Sequence, residues 1–182
     1  ARHAEMKTWP VDHHWTVGTL DIERIWLIDI FGGASDIAPS DYFAVRAPDK
    51  IDEPKSKEKP NTPQPPVEQK AATARWLVHE ADFGVLSTTS VHLGGAPFGN
   101  PQSFCDGPMN NGTGHVYLYV SDLDASMQDV ANNPNVSFTI SEEFVRDACR
   151  DASIDPEDPR CVRLVLSGTV RDVTDSDEGK QA

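Results

Sequence analysis

Gly114-His-Val-Tyr-Leu-Tyr-Val-Ser121, Asn132-Asn-Pro-Asn-Val-Ser-Phe-Thr-Ile-Ser141 and Cys161-Val-Arg-Leu-Val-Leu-Ser-Gly-Thr-Val170 decide the fold. Each is rich in β-branched and aromatic residues and bounded by Gly, Asn or Pro, which reads as a strand. The strands are placed at 115–121, 135–141 and 161–173. Leu123 to Ala131 reads as a helix that Asn133-Pro134 ends, because proline has no N–H to continue it. Glu142 to Arg150 also reads as helical.

Working outward, Gly84 to Thr89 and Phe98 to Cys105 are two more strands, joined by a Gly/Pro-rich turn over His92 to Pro97. Asp106-Gly107-Pro108 and Asn110-Asn111-Gly112 mark a loop. Residues 71–81 form a helix with Trp76 and Leu77 inward. In residues 14–31, Leu20 and Ile22 then Ile25 and Leu27 alternate, with one phase slip around Glu23-Arg24. That pattern is a long strand, or two strands with a bulge. Gly32-Gly33 ends it, and a short helix over Pro39 to Phe43 follows, with Ser35 or Asp36 near its start. Strands dominate and no βαβ rhythm is present. An antiparallel barrel with peripheral helices is expected, mainly β in class.

The 182 residues suggest one domain, large enough to bury a core without metals or many disulfides. Residues 46–70 are rich in Pro, Lys and Glu, lack aromatics, and carry six of the sixteen cations. Such a stretch cannot bury a core and reads as a linker. The net charge of -13 argues against nucleic acid and anionic membranes as partners. No apolar run reaches the roughly 20 residues that a membrane helix needs.

Cys149 and Cys161 flank an eleven-residue loop rich in Asp and Pro. They read as a disulfide of an oxidising compartment or as two reduced thiols. Cys105 is left over as a packed strand thiol. No CxxC pair and no HxxxH spacing suggests a metal site. Catalytic signatures are also missing: no Gly-x-Ser-x-Gly elbow, no HExxH, no Walker loop. Trp9, Trp15, Trp26 and Trp76 are expected as core anchors. His79 is expected at an exposed or capping end of its helix, His92 and His115 at turns.

Asn111-Gly112-Thr113 and Asn135-Val136-Ser137 are N-glycosylation sequons, so Asn111 and Asn135 are candidate glycan sites.

Several tracts together resemble the CREG family of secreted glycoproteins, within the flavin-mononucleotide-binding split-barrel superfamily. They are Pro97-Phe98, Asp106-Gly107-Pro108, Tyr117-Leu-Tyr-Val-Ser121 and Leu166-Ser-Gly-Thr-Val170, with the Cys149–Cys161 loop. Arg2-His3, Glu5-Met-Lys-Thr-Trp-Pro10 and Trp26 to Gly33 are similar to the family's closing segment, yet they come first. Ala4 departs from the family's usual Pro. The resemblance therefore implies a split barrel in permuted order, either circularly permuted or two fragments of a processed chain standing in this order: residues 1–45 as the family's last segment, 46–70 as the linker, 71–182 as the rest. Thr174-Asp-Ser-Asp177-Glu178 has a helix-start signature, and joining it to residues 1–7 would complete one helix.

Flavin-using split barrels carry a Ser-Arg-Lys type element after the strand corresponding to 115–121. Here Asp124-Ala125-Ser126 stands in that place. The preceding strand also lacks a cation, and no Lys or Arg occurs from Trp76 through Val145. Pro101 removes one further N–H. Only Arg163, Arg171 or a dimer partner's cation could serve a phosphate, so no cofactor is expected. The resemblance implies a non-catalytic, secreted or endolysosomal homodimer. Its partners would be cell-surface or sorting receptors, and its effects would be on growth, differentiation or lysosomal function. The alternatives are a flavin-dependent oxidoreductase, or a haem-handling protein using His3, His13 or His14.

Overall fold

The computed structural model describes residues 14–28, 35–46, 62–66, 68–108, 111–177 and 179–181. The readings of residues 1–13, most of the 46–70 linker and Gly32-Gly33 fall outside them, as do those of Trp9, His3 and His13.

The long first strand β1 (Trp15–Ile28) is followed by β2 (Ser35–Ile37), α1 (Pro39–Ala44) and α2 (Lys70–Glu80). Then come β3 (Phe83–Thr89), β4 (Pro97–Cys105), β5 (Val116–Ser121), α3 (Ala125–Asn132), β6 (Asn135–Ser141), α4 (Ala148–Asp151) and β7 (Arg163–Asp172). The hydrogen-bonded order is β2-β1-β5-β4-β3-β6-β7, and β7 also pairs with β1. Six strands thus close into an antiparallel barrel, leaving β2 as an outlying strand on β1. Closure abolishes the sheet edges that would otherwise invite aggregation.

The length of β1 makes closure possible. Its first half pairs with β5, from Trp15↔Ser121 to Leu20↔Val116. Its second half pairs with β2, and β7 runs along the other side through ten residue pairs. The register shifts between Ile22 and Arg24, at the phase slip expected from the sequence. An extra residue flips the alternation, so Leu20 before the bulge and Ile25 and Leu27 after it all reach the core.

Leu86, Phe104, Leu118, Phe138, Ile140, Leu164 and Leu166 fill the rest of the interior. Phe104 and Phe138 meet edge to face at 5.2 Å. α2 packs on this core through Trp76 and Leu77, as expected. Trp76 also donates its indole N–H to the Thr62 carbonyl at 2.9 Å.

Four readings need correction. Ser35 and Asp36 do not start α1 but form β2, pairing with Leu27 and Trp26; Ala38 takes the N-cap place before Pro39. Glu142 to Arg150 is not one helix. A 3-10 turn, Glu142–Phe144, is separated from α4 by Arg146 and Asp147, whose φ angles of 55° and 59° interrupt helical hydrogen bonding. Thr174 does not open a helix. Its hydroxyl accepts from Val17 N–H at 2.8 Å, tying the end of β7 to the start of β1, and among the described residues a 3-10 turn, Gly179–Gln181, follows. Two tryptophans are not core anchors: Trp26 lies on the outer side of the barrel at 39% exposure, because the bulge turns Ile25 and Leu27 inward and Trp26 outward, and Trp15 is only half-buried at the strand's start, outside the core.

Candidate functional site

α3 begins beside the mouth of the barrel, where β4, β5 and the start of β1 converge. Asp124 caps it: Oδ1 accepts the Ser126 N–H at 2.7 Å. The carboxylate therefore sits on the helix terminus, the place where backbone amides and helix dipole would otherwise favour an external anion. β4 completes the arrangement. Gln102 donates its amide to Asp124 Oδ2 at 3.1 Å, and Asn100 donates to the buried Ser126 hydroxyl at 3.1 Å. Each group is satisfied from within the chain, and the local charge is negative.

A groove of about 280 Å³ opens beside this network, between Asp124, Gln102 and Ser121 on one side and Trp15, Tyr119 and Leu123 on the other. Trp15 and Tyr119 stack face to face, with centroids 5.2 Å apart and planes 15° apart. They meet because the β1–β5 register sets Trp15 opposite Ser121 and Val17 opposite Tyr119, a diagonal cross-strand pair. Leu123 is 62% exposed at the rim. Asp122, also at the rim, faces His14 at 3.4 Å.

The expected cation sources lie elsewhere. Arg171 contacts both oxygens of Asp21 at 2.9 Å. Arg163 pairs with Ile28 at the far end of β1. Thirteen residues of strand, about 40 Å, separate that end from Trp15.

A second polar centre lies under the loop 106–114, and the sequence reading missed it. His79 is 1% exposed and donates from Nδ1 to Asp106 at 3.0 Å, so it is not at an exposed helix end. The reason is that α2 turns this face toward the loop. Asp106 is fully buried, and its main-chain carbonyl accepts from the Thr113 N–H at 2.7 Å and hydroxyl at 2.9 Å. Arg75, one turn before His79, is 2% exposed, donates to the Gly112 carbonyl at 2.8 Å and lies over the Tyr42 ring at 5.2 Å. Tyr42 donates to the Gly114 carbonyl at 2.7 Å, and burial holds its hydroxyl far above the usual phenol range. Gly112 and Gly114 are required by this approach. A Cβ at 112 would fall 2.7 Å from His79 Nδ1, and one at 114 would fall 2.6 Å from the Arg75 guanidinium carbon. The Gly-x-Gly spacing after Asp-Gly-Pro was the available signal. Sealed from solvent, the cluster anchors a loop.

Asn111 and Asn135 are both exposed and stand apart, one on the loop and one at the start of β6. Cys149 and Cys161 form the disulfide, with Cα atoms 5.7 Å apart and both residues buried. Glu142 lies beside their sulfurs, but the bonded pair offers no thiolate for a metal. Cys105 sits on β4 opposite Tyr117, half-buried and outside the disulfide. Among the described residues no helix is long and apolar enough to cross a membrane.

The closed antiparallel arrangement with its helix-flanked mouth is that of a split barrel. A family model described as "CREG, beta-barrel" matches residues 1–44 and 65–182, and the chain belongs to the CREG family. It is 44% identical over 104 residues to Protein CREG2 of Homo sapiens, covering 54% of this chain and 34% of that protein. It is 38% identical over 119 residues to Protein CREG1 of Mus musculus, covering 64% and 53%. The chain thus spans about a third to a half of the length of these relatives. Among solved structures, a candidate 5-nitroimidazole antibiotic resistance protein of Bacteroides thetaiotaomicron is 16% identical, covering 52% of this chain and 80% of that one. Its TM-score of 0.29 is too low to argue from.

Proposed function

We propose that this CREG-family chain works by protein recognition at its surface, without flavin and without catalysis, as a secreted or endolysosomal glycoprotein. The observation that carries the reading is Asp124. Where a flavin phosphate would need cations or free helix-end amides, the chain places its own carboxylate on the helix terminus and spends the β4 amides of Asn100 and Gln102 on holding it. A phosphate there would meet like charge and lose the amides. The residues present do not fit the group. The buried disulfide supports an oxidising compartment. In the family, receptor binding would then act on growth, differentiation or lysosomal function.

Self-association has its own support. Across the outer side of the barrel, register aligns Trp26, Val165, Thr139, Val85 and Pro101 in one uncharged row. For a chain of charge -13, an uncharged face lowers the repulsion against a second copy. We read the dimer as forming there. Trp26→Glu would then give a monomer by light scattering.

The two matched segments are read as standing in exchanged order. Val173 N–H donates to the Val17 carbonyl at 2.8 Å, so a connection from β7 back to β1 would join adjacent antiparallel strands. Re-joining the segments in the other order should preserve far-ultraviolet dichroism and near-native stability.

The principal test is an absorption spectrum from 300 to 700 nm, before and after adding flavin mononucleotide, with gel filtration between. A featureless spectrum is expected. A flavin band retained through the column would sink the reading.

A further inference from the structure

The groove beside α3 is lined by Asp124 and Gln102 of the capping network on one side and by Trp15, Tyr119 and Leu123 on the other, and its chemistry is selective. Trp15 and Tyr119 present an aromatic platform, electron-rich on its faces. Asp124 stands across from it and Asp122 at its rim, the latter carboxylate 65% exposed. The Gln102 amide N–H is turned into Asp124, which leaves its carbonyl oxygen as the polar end. The Ser121 hydroxyl accepts from the Leu123 N–H. No Lys or Arg occurs from Trp76 through Val145, and the basic group that faces these acids is His14, just before β1, with Nδ1 3.4 Å from Asp122. The groove therefore combines an aromatic pair, acceptor oxygens and the negative charge of Asp124, with Asp122 shared with His14.

We propose that this groove receives an arginine side chain from a partner protein. The guanidinium is flat, so it can lie on the Trp15–Tyr119 platform while its fork of N–H donors reaches the Asp124 carboxylate and the Gln102 carbonyl. A lysine offers a point charge and no stacking plane. A neutral sugar gains nothing from the field of Asp122 and Asp124. A phosphate or a nucleotide is repelled by it. Size agrees: about 280 Å³ lies just below the roughly 300 Å³ at which small-molecule pockets begin, enough for one large side chain. The inference rests on the recognition reading above, and names the chemistry that the cleft recognises.

The test is a 1H–15N titration of the labelled chain with acetyl-Gly-Gly-Arg-Gly-Gly-amide, and separately with the same peptide carrying citrulline. Citrulline keeps the shape and removes the charge. The arginine peptide should move the Trp15 indole and Gln102 amide resonances saturably, and 0.5 M NaCl should reverse the shifts. Asp124→Asn keeps an oxygen for the Ser126 cap, and Tyr119→Ala alters an exposed position, so both should fold. Each should weaken the peptide about threefold or more. Equal binding of the citrulline peptide, the same shifts produced by methyl glucoside, or shifts that follow protein concentration without peptide would overturn the proposal. So would an arginine peptide that moves neither resonance. Each of these can occur in a colourless protein, so failure here is distinguishable from flavin binding.

Discussion

Replacing Asp106 by Ala should cost this chain a large part of its stability. The carboxylate is fully buried, it accepts from His79, and Arg75 lies in the same sealed cluster at 2% exposure. Removing it strands a buried imidazole N–H on His79. Breaking a buried pair from one side costs about 3–5 kcal/mol. Set against the 5–15 kcal/mol typical of a whole domain, that is a third or more. Asp106→Asn keeps the size and one acceptor, and should cost about 1–3 kcal/mol. The assay is urea denaturation followed by tryptophan fluorescence, with buried Trp76 on the same helix as His79 and Arg75 as reporter. His79→Leu and the double variant complete a cycle. If the pair acts as a unit, the double variant should lose at least about 1 kcal/mol less than the two single losses together. An Asp106→Ala cost below about 1 kcal/mol, or strict additivity, would refute the reasoning that this cluster anchors the loop.

Three further outcomes are expected. Replacing Cys149 and Cys161 together by Ala frees a loop of about 13 residues and should lower unfolding free energy by roughly 3 kcal/mol, measured by the same denaturation without reductant. Glu142 is held above its ordinary carboxylate range by burial first and then by Glu143, against a lowering hydrogen bond from Val162 N–H. With a raised folded pKa, its favourable share is present when protonated and fades as pH rises above about 4.5. Glu142→Gln should therefore be more stable than the parent at pH 7 and equal to it near pH 4. Expressed through a secretory host, Asn111→Gln and Asn135→Gln should each remove one glycosidase-sensitive step in gel mobility; a parent chain without such steps would end the glycoprotein reading.

The barrel was legible because strand signals are local. Alternation at Leu20, Ile25 and Leu27 even carried the bulge, since one extra residue must shift the phase. The buried cluster was not legible. Arg75 and His79 are polar residues on a helix, and helical spacing alone cannot say whether that face meets water or a loop far along the chain. Trp26 failed for the opposite reason: size suggests burial, but the outward register decides exposure. At α3 the sequence showed that cations were absent. It could not show that Asp124, Asn100 and Gln102 occupy the vacated chemistry with hydrogen bonds of their own.

The pairing of β1 with β7 has a consequence for synthesis. The first strand of the described chain finds its longest partner 135 to 154 residues later, from Ile28↔Arg163 to Gly18↔Asp172. On the ribosome, β1 must wait with one flank bare until that last strand emerges. Sequence-distant pairing slows folding and lengthens the time such a flank is exposed. Any condition that delays the arrival of β7, such as a stalled ribosome, leaves a half-built barrel whose open seam is a site for chaperones or for aggregation.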